Sequence, residues 1–111
     1  MELGTFSVSL AVKDITRSKA FYEVLGFNAH EGCGSVEDKW LIMQNGQCII
    51  GLFEGMFKDN ILTFNPSDVR VIAHHLKQAG VALDKDVEGD SGPGHCVLKD
   101  PDGNVIMFDQ F

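Results

Sequence analysis

Basic residues are scarce in this chain, cysteines are few, and no stretch stays apolar for long. Each shortage removes a class of function. Only 9 lysines and arginines stand against 16 aspartates and glutamates, a formal net charge of −7. A nucleic-acid backbone or an anionic membrane surface calls for a basic face, so neither is expected as a partner. The acidity is compatible with a cationic ligand and equally with plain solubility. No window approaches the roughly 20 apolar residues of a membrane span. The opening MELGTFSVSLAV has neither a basic n-region nor a long apolar core, so no signal peptide is expected and a cytoplasmic location is. Cys33, Cys48 and Cys96 are odd in number, far apart and in no C-x-x-C arrangement. They read as small buried hydrophobes in a reducing compartment, not as a disulfide framework or a ligand set.

What is present is an ordinary globular composition, 44% apolar and 23% charged over 111 residues. That length allows one domain that buries roughly two-thirds of its unfolded surface. The informative feature is an internal echo. Asp14 and Asp68 each open a helical pattern, Gly26 and Gly80 each close one, and both pairs are 54 residues apart. One supersecondary unit therefore occurs twice.

In the first occurrence FSVSLAV alternates, with Phe6, Val8, Leu10 and Val12 on one face and Ser7, Ser9 and Ala11 on the other. That is the period of a strand covered on one side. Asp14 suits the N-cap of a helix over Ile15 to Leu25, and Gly26 its left-handed C′ position. Phe21, Val24 and Leu25 are expected to face the core. Two strands follow, KWLIMQ and QCIIGLF, joined by Asn45-Gly46 as a two-residue type I′ turn. His30 and Cys33 fall in an irregular stretch and receive no role. In the second occurrence ILTFN precedes a helix whose Val69, Ile72, Ala73 and Leu76 form an amphipathic stripe. A weak strand is expected near Val81 to Val87, then the loop EGDSGPG. A final hairpin, HCVLK and NVIMFDQF, turns at DPDG. The predicted fold is α+β: two βαβββ modules, about 4–54 and about 60–111, whose sheets curve around a central cleft with the helices on the outer faces.

Three segments, VSLAVKDITRSKAFYEVLGF, ILTFNPSDVRVIAHHLKQAGV and KDPDGNVIMFDQF, in that order on a duplicated unit, resemble the vicinal oxygen chelate superfamily, which includes glyoxalases, bleomycin-resistance proteins and extradiol dioxygenases. The resemblance implies the module architecture above and a homodimer. It does not imply one activity, since fold and function separate in such superfamilies. Metal-dependent relatives hold a divalent ion with His and Glu or Gln from four strands. Those positions fall here on Ser7, Gly51, Ile61 (Asn60 after a one-residue slip) and Met107. Serine, glycine, isoleucine and methionine lack the imidazole, thiolate or carboxylate that such an ion needs, so no metal and no other cofactor is predicted. Glu54 lies an odd step from Gly51 and would point to the opposite face.

The Asn-Gly turn would set Trp40 directly opposite Gly51, with room for the indole above it. Ser7, Ser9, Trp40, Gly51, Phe53, Ile61, Thr63 and Met107, with Ile42 and Ile49, are therefore the predicted lining of a largely apolar small-molecule pocket. In the final hairpin a three-residue loop would place His95 opposite Asp109, a candidate acid–base pair. The leading expectation is a metal-free protein that binds a small apolar or aromatic molecule. The alternative is a lyase, isomerase or dioxygenase-type enzyme, resembling lactoylglutathione lyase in its chemistry. It would use His95 and Asp109 or a divalent Ni, Zn, Mn or Fe held by non-standard residues.

Overall fold

The computed structural model describes residues 1–111. Seven strands and two helices make a mixed α+β fold: β1 Thr5–Val12, α1 Ile15–Val24, β2 Asn28–Ser35, β3 Trp40–Asn45, β4 Cys48–Glu54, β5 Ile61–Asn65, α2 Val69–Gln78, β6 Gly94–Lys99 and β7 Val105–Gln110. The chain divides into two compact units, Ser7–Asn60 and Ile61–Phe111 together with Met1–Phe6. Neither helix is long and apolar enough to cross a membrane.

In the unit Ser7–Asn60 the strands lie in the order β2-β3-β4-β1, with β1 and β4 parallel and the other neighbours antiparallel. Alternation divides the sheet. Leu10 and Val12 of β1, Leu41 and Met43 of β3, and Ile50 and Leu52 of β4 pack with Ile15 of α1 into one apolar cluster. Ile15 is 1% exposed and Met43 and Leu52 are fully buried. The remaining side chains of these strands, among them Ser7, Ser9, Trp40, Gly51 and Phe53, point to the face away from the helix.

Helix α1 starts and stops as its sequence dictates. The Asp14 carboxylate accepts the Arg17 N–H at 3.3 Å, and Gly26 takes φ +93° just past the C-cap. The residues it buries differ from expectation, because Phe21, Val24 and Leu25 are 60%, 85% and 54% exposed. Each residue advances about 100° around a helix. Tyr22, seven positions after Ile15, returns to the buried line, whereas Val24 lies opposite and Phe21 well to one side. Tyr22 takes the core place and stacks edge-on against Phe27, ring centroids 5.7 Å apart.

Residues Asn28–Ser35, which carry no strand pattern, form β2. Its register against β3 shifts between Ala29 and Gly34, a bulge that hides the alternation. The β3–β4 turn also moves. Asn45 stays in its strand opposite Cys48, and Gly46-Gln47 become the loop. The Asn45 amide donates to Leu25 O at 3.2 Å, which ties Asn45 to the end of α1 and removes it from the turn. Each strand shifts by one residue, so faces are preserved while partners move by two.

In the other unit the order is β5-β7-β6. Val69, Ile72, Ala73 and Leu76 of α2 pack onto Cys96, Leu98, Ile106, Phe108 and Phe64, so the predicted stripe is the buried one. The segment from Val81 to Val87 is not a strand. It makes one isolated bridge, Lys85 to Val97, while Val81, Leu83 and Val87 pack on the cluster from a loop. The final hairpin closes at Pro101-Asp102-Gly103, with Asp100 and Asn104 joined by a 3.0 Å backbone bond.

The duplication extends to one hydrogen bond that is far apart in sequence. The first N–H of α1, Ile15, donates to Glu54 Oε1 at 3.0 Å, and the first N–H of α2, Val69, donates to Gln110 Oε1 at 2.8 Å. In each unit the last strand caps the helix. This backbone N–H, followed by Lys39 at 3.1 Å, holds the Glu54 carboxyl below its ordinary value of 4.5. A carboxyl lowered by folding stabilises fully above its unfolded value and loses that contribution as pH falls below it. Glu54→Gln copies the side chain that serves at Gln110, so it should fold. Its stability should drop less than wild type between pH 7 and pH 3, measured by urea midpoints; equal losses would refute the assignment.

Candidate functional site

Within the unit Ser7–Asn60 the helix-free face is organised in rungs. Ser9, Gly51 and Ile42 are neighbours across β1, β4 and β3, and Ala11, Phe53 and Trp40 form the next rung. Trp40 therefore lies opposite Phe53, not Gly51, because of the displaced turn. The space above Gly51 is filled by the Phe53 ring: a methyl group built on Gly51 would meet Phe53 Cε2 at 2.5 Å and Ile42 Cδ1 at 3.2 Å. The close approach that accommodates the indole is at Gly34 in the β2 bulge, where a methyl would lie 2.8 Å from Trp40 Cδ2. Two glycines thus seat two rings.

Trp40 and Phe53 are nearly parallel, 10° between planes and 6.3 Å between centroids. Phe57, in the connection after β4, packs on Phe53 at 5.2 Å. All three rings are partly exposed. The result is a short aromatic wall with buried hydroxyls, Ser7 and Ser9, on the same face. Phe57 and Gly34 carry no sequence signal because one sits between the two expected modules and the other in a strand without alternation.

In the other unit Thr63, Met107 and Val97 are neighbours on the helix-free face, and Ile61 pairs with Val105. Ile61 and Thr63 are buried. The final hairpin has the register read from its turn, with His95 opposite Asp109. These two border a cavity of about 400 Å³ with Lys85, Glu88, Pro93 and Phe111. Burial raises the Asp109 carboxyl above its ordinary value, partly offset by attraction to His95. The two side chains form no hydrogen bond to each other, so the carboxylate does not orient the imidazole.

The ion-holding positions carried over from the resemblance are Ser7 and Gly51 in one unit and Ile61 and Met107 in the other. None offers an imidazole or a carboxylate, and the Phe53 ring covers Gly51. No three His, Cys, Asp or Glu side chains anywhere are grouped to hold a metal. The residues present do not fit a divalent ion. Glu54 is committed to Ile15 and Lys39. His30 Nδ1 lies 3.3 Å from Cys33 Sγ across the β2 bulge, without a third ligand. Burial pushes the Cys96 thiol up, as befits a packing residue.

The family model for the Glyoxalase/Bleomycin resistance protein/Dioxygenase superfamily matches residues 5–108. A member of that superfamily from Vibrio splendidus 12B01 has a similar structure, TM-score 0.73 at 16% identity over 96% of this chain and 97% of that one. Methylmalonyl-CoA epimerase from Mycobacterium tuberculosis gives 0.70 at 14% identity over 99% and 91%. A structure described as NAD-dependent benzaldehyde dehydrogenase from Legionella pneumophila gives 0.78 at 16% identity over 96% and 98%. At such identities the likeness is one of fold. No curated protein matches the chain.

If the Phe53 ring is seated by the missing side chain at Gly51, Gly51→Ala should cost about 1–3 kcal/mol, the usual range for overpacking. It should also shift Trp40 emission, and adding Phe53→Ala should restore most of the stability. Chemical denaturation and fluorescence check both, and an additive double mutant would reject the contact.

Proposed function

The chain belongs to the glyoxalase/bleomycin resistance protein/dioxygenase superfamily, and from that membership we propose that it is a metal-free binding protein for a small planar apolar or aromatic molecule. The observation that carries this reading is the Phe53 ring lying over Gly51 and alongside Trp40. Where the resemblance would put an ion-binding carboxylate there is an aromatic surface. Flat rings with partly exposed edges and few polar neighbours favour stacking ligands, and buried Ser7 and Ser9 leave little charge on that face.

Trp40 is the only tryptophan, so its emission reports this wall directly. A panel of planar aromatic compounds should contain ligands that change Trp40 emission saturably. Phe53→Ala should weaken those ligands roughly fivefold to tenfold, the scale of one lost aromatic contact. Thermal-shift titration with Ni²⁺, Zn²⁺, Mn²⁺ and Fe²⁺ should show no stabilisation at low micromolar ion. Stoichiometric metal, or a saturating ligand that leaves Trp40 emission unchanged, would overturn the proposal.

The enzymatic alternative rests on His95 and Asp109, and the missing hydrogen bond between them disfavours it. Homodimerisation belongs to the leading reading: Phe21, Val24 and Leu25 on α1 supply apolar surface for a second copy. Light scattering at high concentration should give twice the 12.2 kDa chain mass, and a monomeric mass rejects that part.

A further inference from the structure

The cavity bordered by His95 and Asp109 is built more firmly than its loop composition suggests. One wall is the glycine-rich segment after Val87, and a single arginine holds it. Arg70, in the first turn of α2, donates through Nε to Gly89 O at 3.0 Å, through Nη1 to Gly92 O at 2.7 Å and through Nη2 to Glu88 O at 2.8 Å. Gln110 Nε2 adds a bond to Gly92 O at 3.1 Å, while its Oε1 caps α2. The loop is thereby fastened to the helix and to the final strand, and its ends at Glu88 and Pro93 border, with His95, Asp109 and Gln110, a hollow of about 400 Å³.

The charged and titratable groups facing it are Lys85, Glu88, His95 and Asp109. Lys85 is engaged with Glu88 at 3.6 Å. The Asp109 carboxylate accepts no hydrogen bond from the protein, and His95 is its electrostatic neighbour. It is a half-buried acceptor without a donor, in a hollow whose rim carries Pro93 and the Phe111 ring. The complement of such a hollow is a compact cation with several N–H donors and an apolar substituent.

We propose that this cavity is a binding site for a small protonated amine bearing an aromatic or apolar group. The ammonium donates to Asp109 and to the His95 imidazole, and the substituent lies against Phe111. The chain's net charge of −7 raises the local concentration of such a ligand. The site is independent of the aromatic wall at Trp40. Its pH dependence has a definite sign: burial raises the Asp109 carboxyl, and protonating it removes the charged acceptor, so affinity falls on acidification.

Calorimetry on the full chain with three probes sharing one ring tests this: benzylamine, benzyl alcohol and phenylacetate. Benzylamine should bind at one site at pH 7, at least tenfold more tightly than the other two, and more weakly at pH 5. Asp109→Asn, nearly isosteric, should lower benzylamine affinity tenfold or more, and His95→Gln should lower it less. In wild-type NMR spectra benzylamine should shift His95 and Asp109 signals and leave the Trp40 indole N–H unmoved, a readout that needs no variant to fold. Benzyl alcohol or phenylacetate shifting the His95 and Asp109 signals at equal affinity, tighter benzylamine binding at pH 5, or benzylamine shifts centred on Trp40 would each overturn the site. The last would leave the aromatic-wall reading standing.

Discussion

Each helix in this protein hangs from the last strand of its own unit by one side-chain hydrogen bond. Glu54 holds the first N–H of α1 and Gln110 the first N–H of α2. An orphan donor at a helix start must find an acceptor, and here the acceptor is drawn from the strand that finishes the unit. The bond lies beside the first buried helical residues, Ile15 and Val69, at 1% and 0% exposure. Anchored there, the helix covers one face of the sheet, and alternation turns every second strand residue to the other.

On that face of the unit Ser7–Asn60 the side chains present are aromatic rings and hydroxyls. The glycine at position 51 lacks the bulk that would keep Phe53 away. The ring moves into the space, and the indole of Trp40, seated on Gly34, lies alongside it. In the other unit the helix-free face ends in polar groups, where Asp109 and His95 meet a loop that Arg70 holds by three backbone carbonyls. The two units thus share one plan for helix and sheet but offer different surfaces, one aromatic and one bordered by charged side chains of both signs.

Legibility in the sequence followed the strength of the local signal. Both N-cap aspartates and both C′ glycines stand in the chain as read, because each depends on contacts within a few residues, and the stripe of α2 stands because its four apolar residues share one face. The His95–Asp109 pairing was also readable, since a three-residue loop with Gly103 at φ +87° sets its own register. The β3–β4 pairing was misread by two residues, because Asn45 answers to Leu25 O, twenty positions away, before it answers to turn preference. Strand β2 was missed because a bulge destroys the alternation by which strands are recognised. The exposed Phe21 and Val24 were misassigned because helix rotation is set by which aromatic wins the core, and Tyr22 won it through Phe27.

The residues alone determined the class of fold, the duplication and the poverty of metal ligands at four positions, since these are matters of local periodicity and of which atoms a side chain carries. Tertiary structure alone decided which ring covers Gly51, which glycine seats the indole, and that Arg70 holds the loop beside His95 and Asp109. Those outcomes depend on register and on contacts between distant segments, where a shift of one residue in a turn exchanges every partner along the strand.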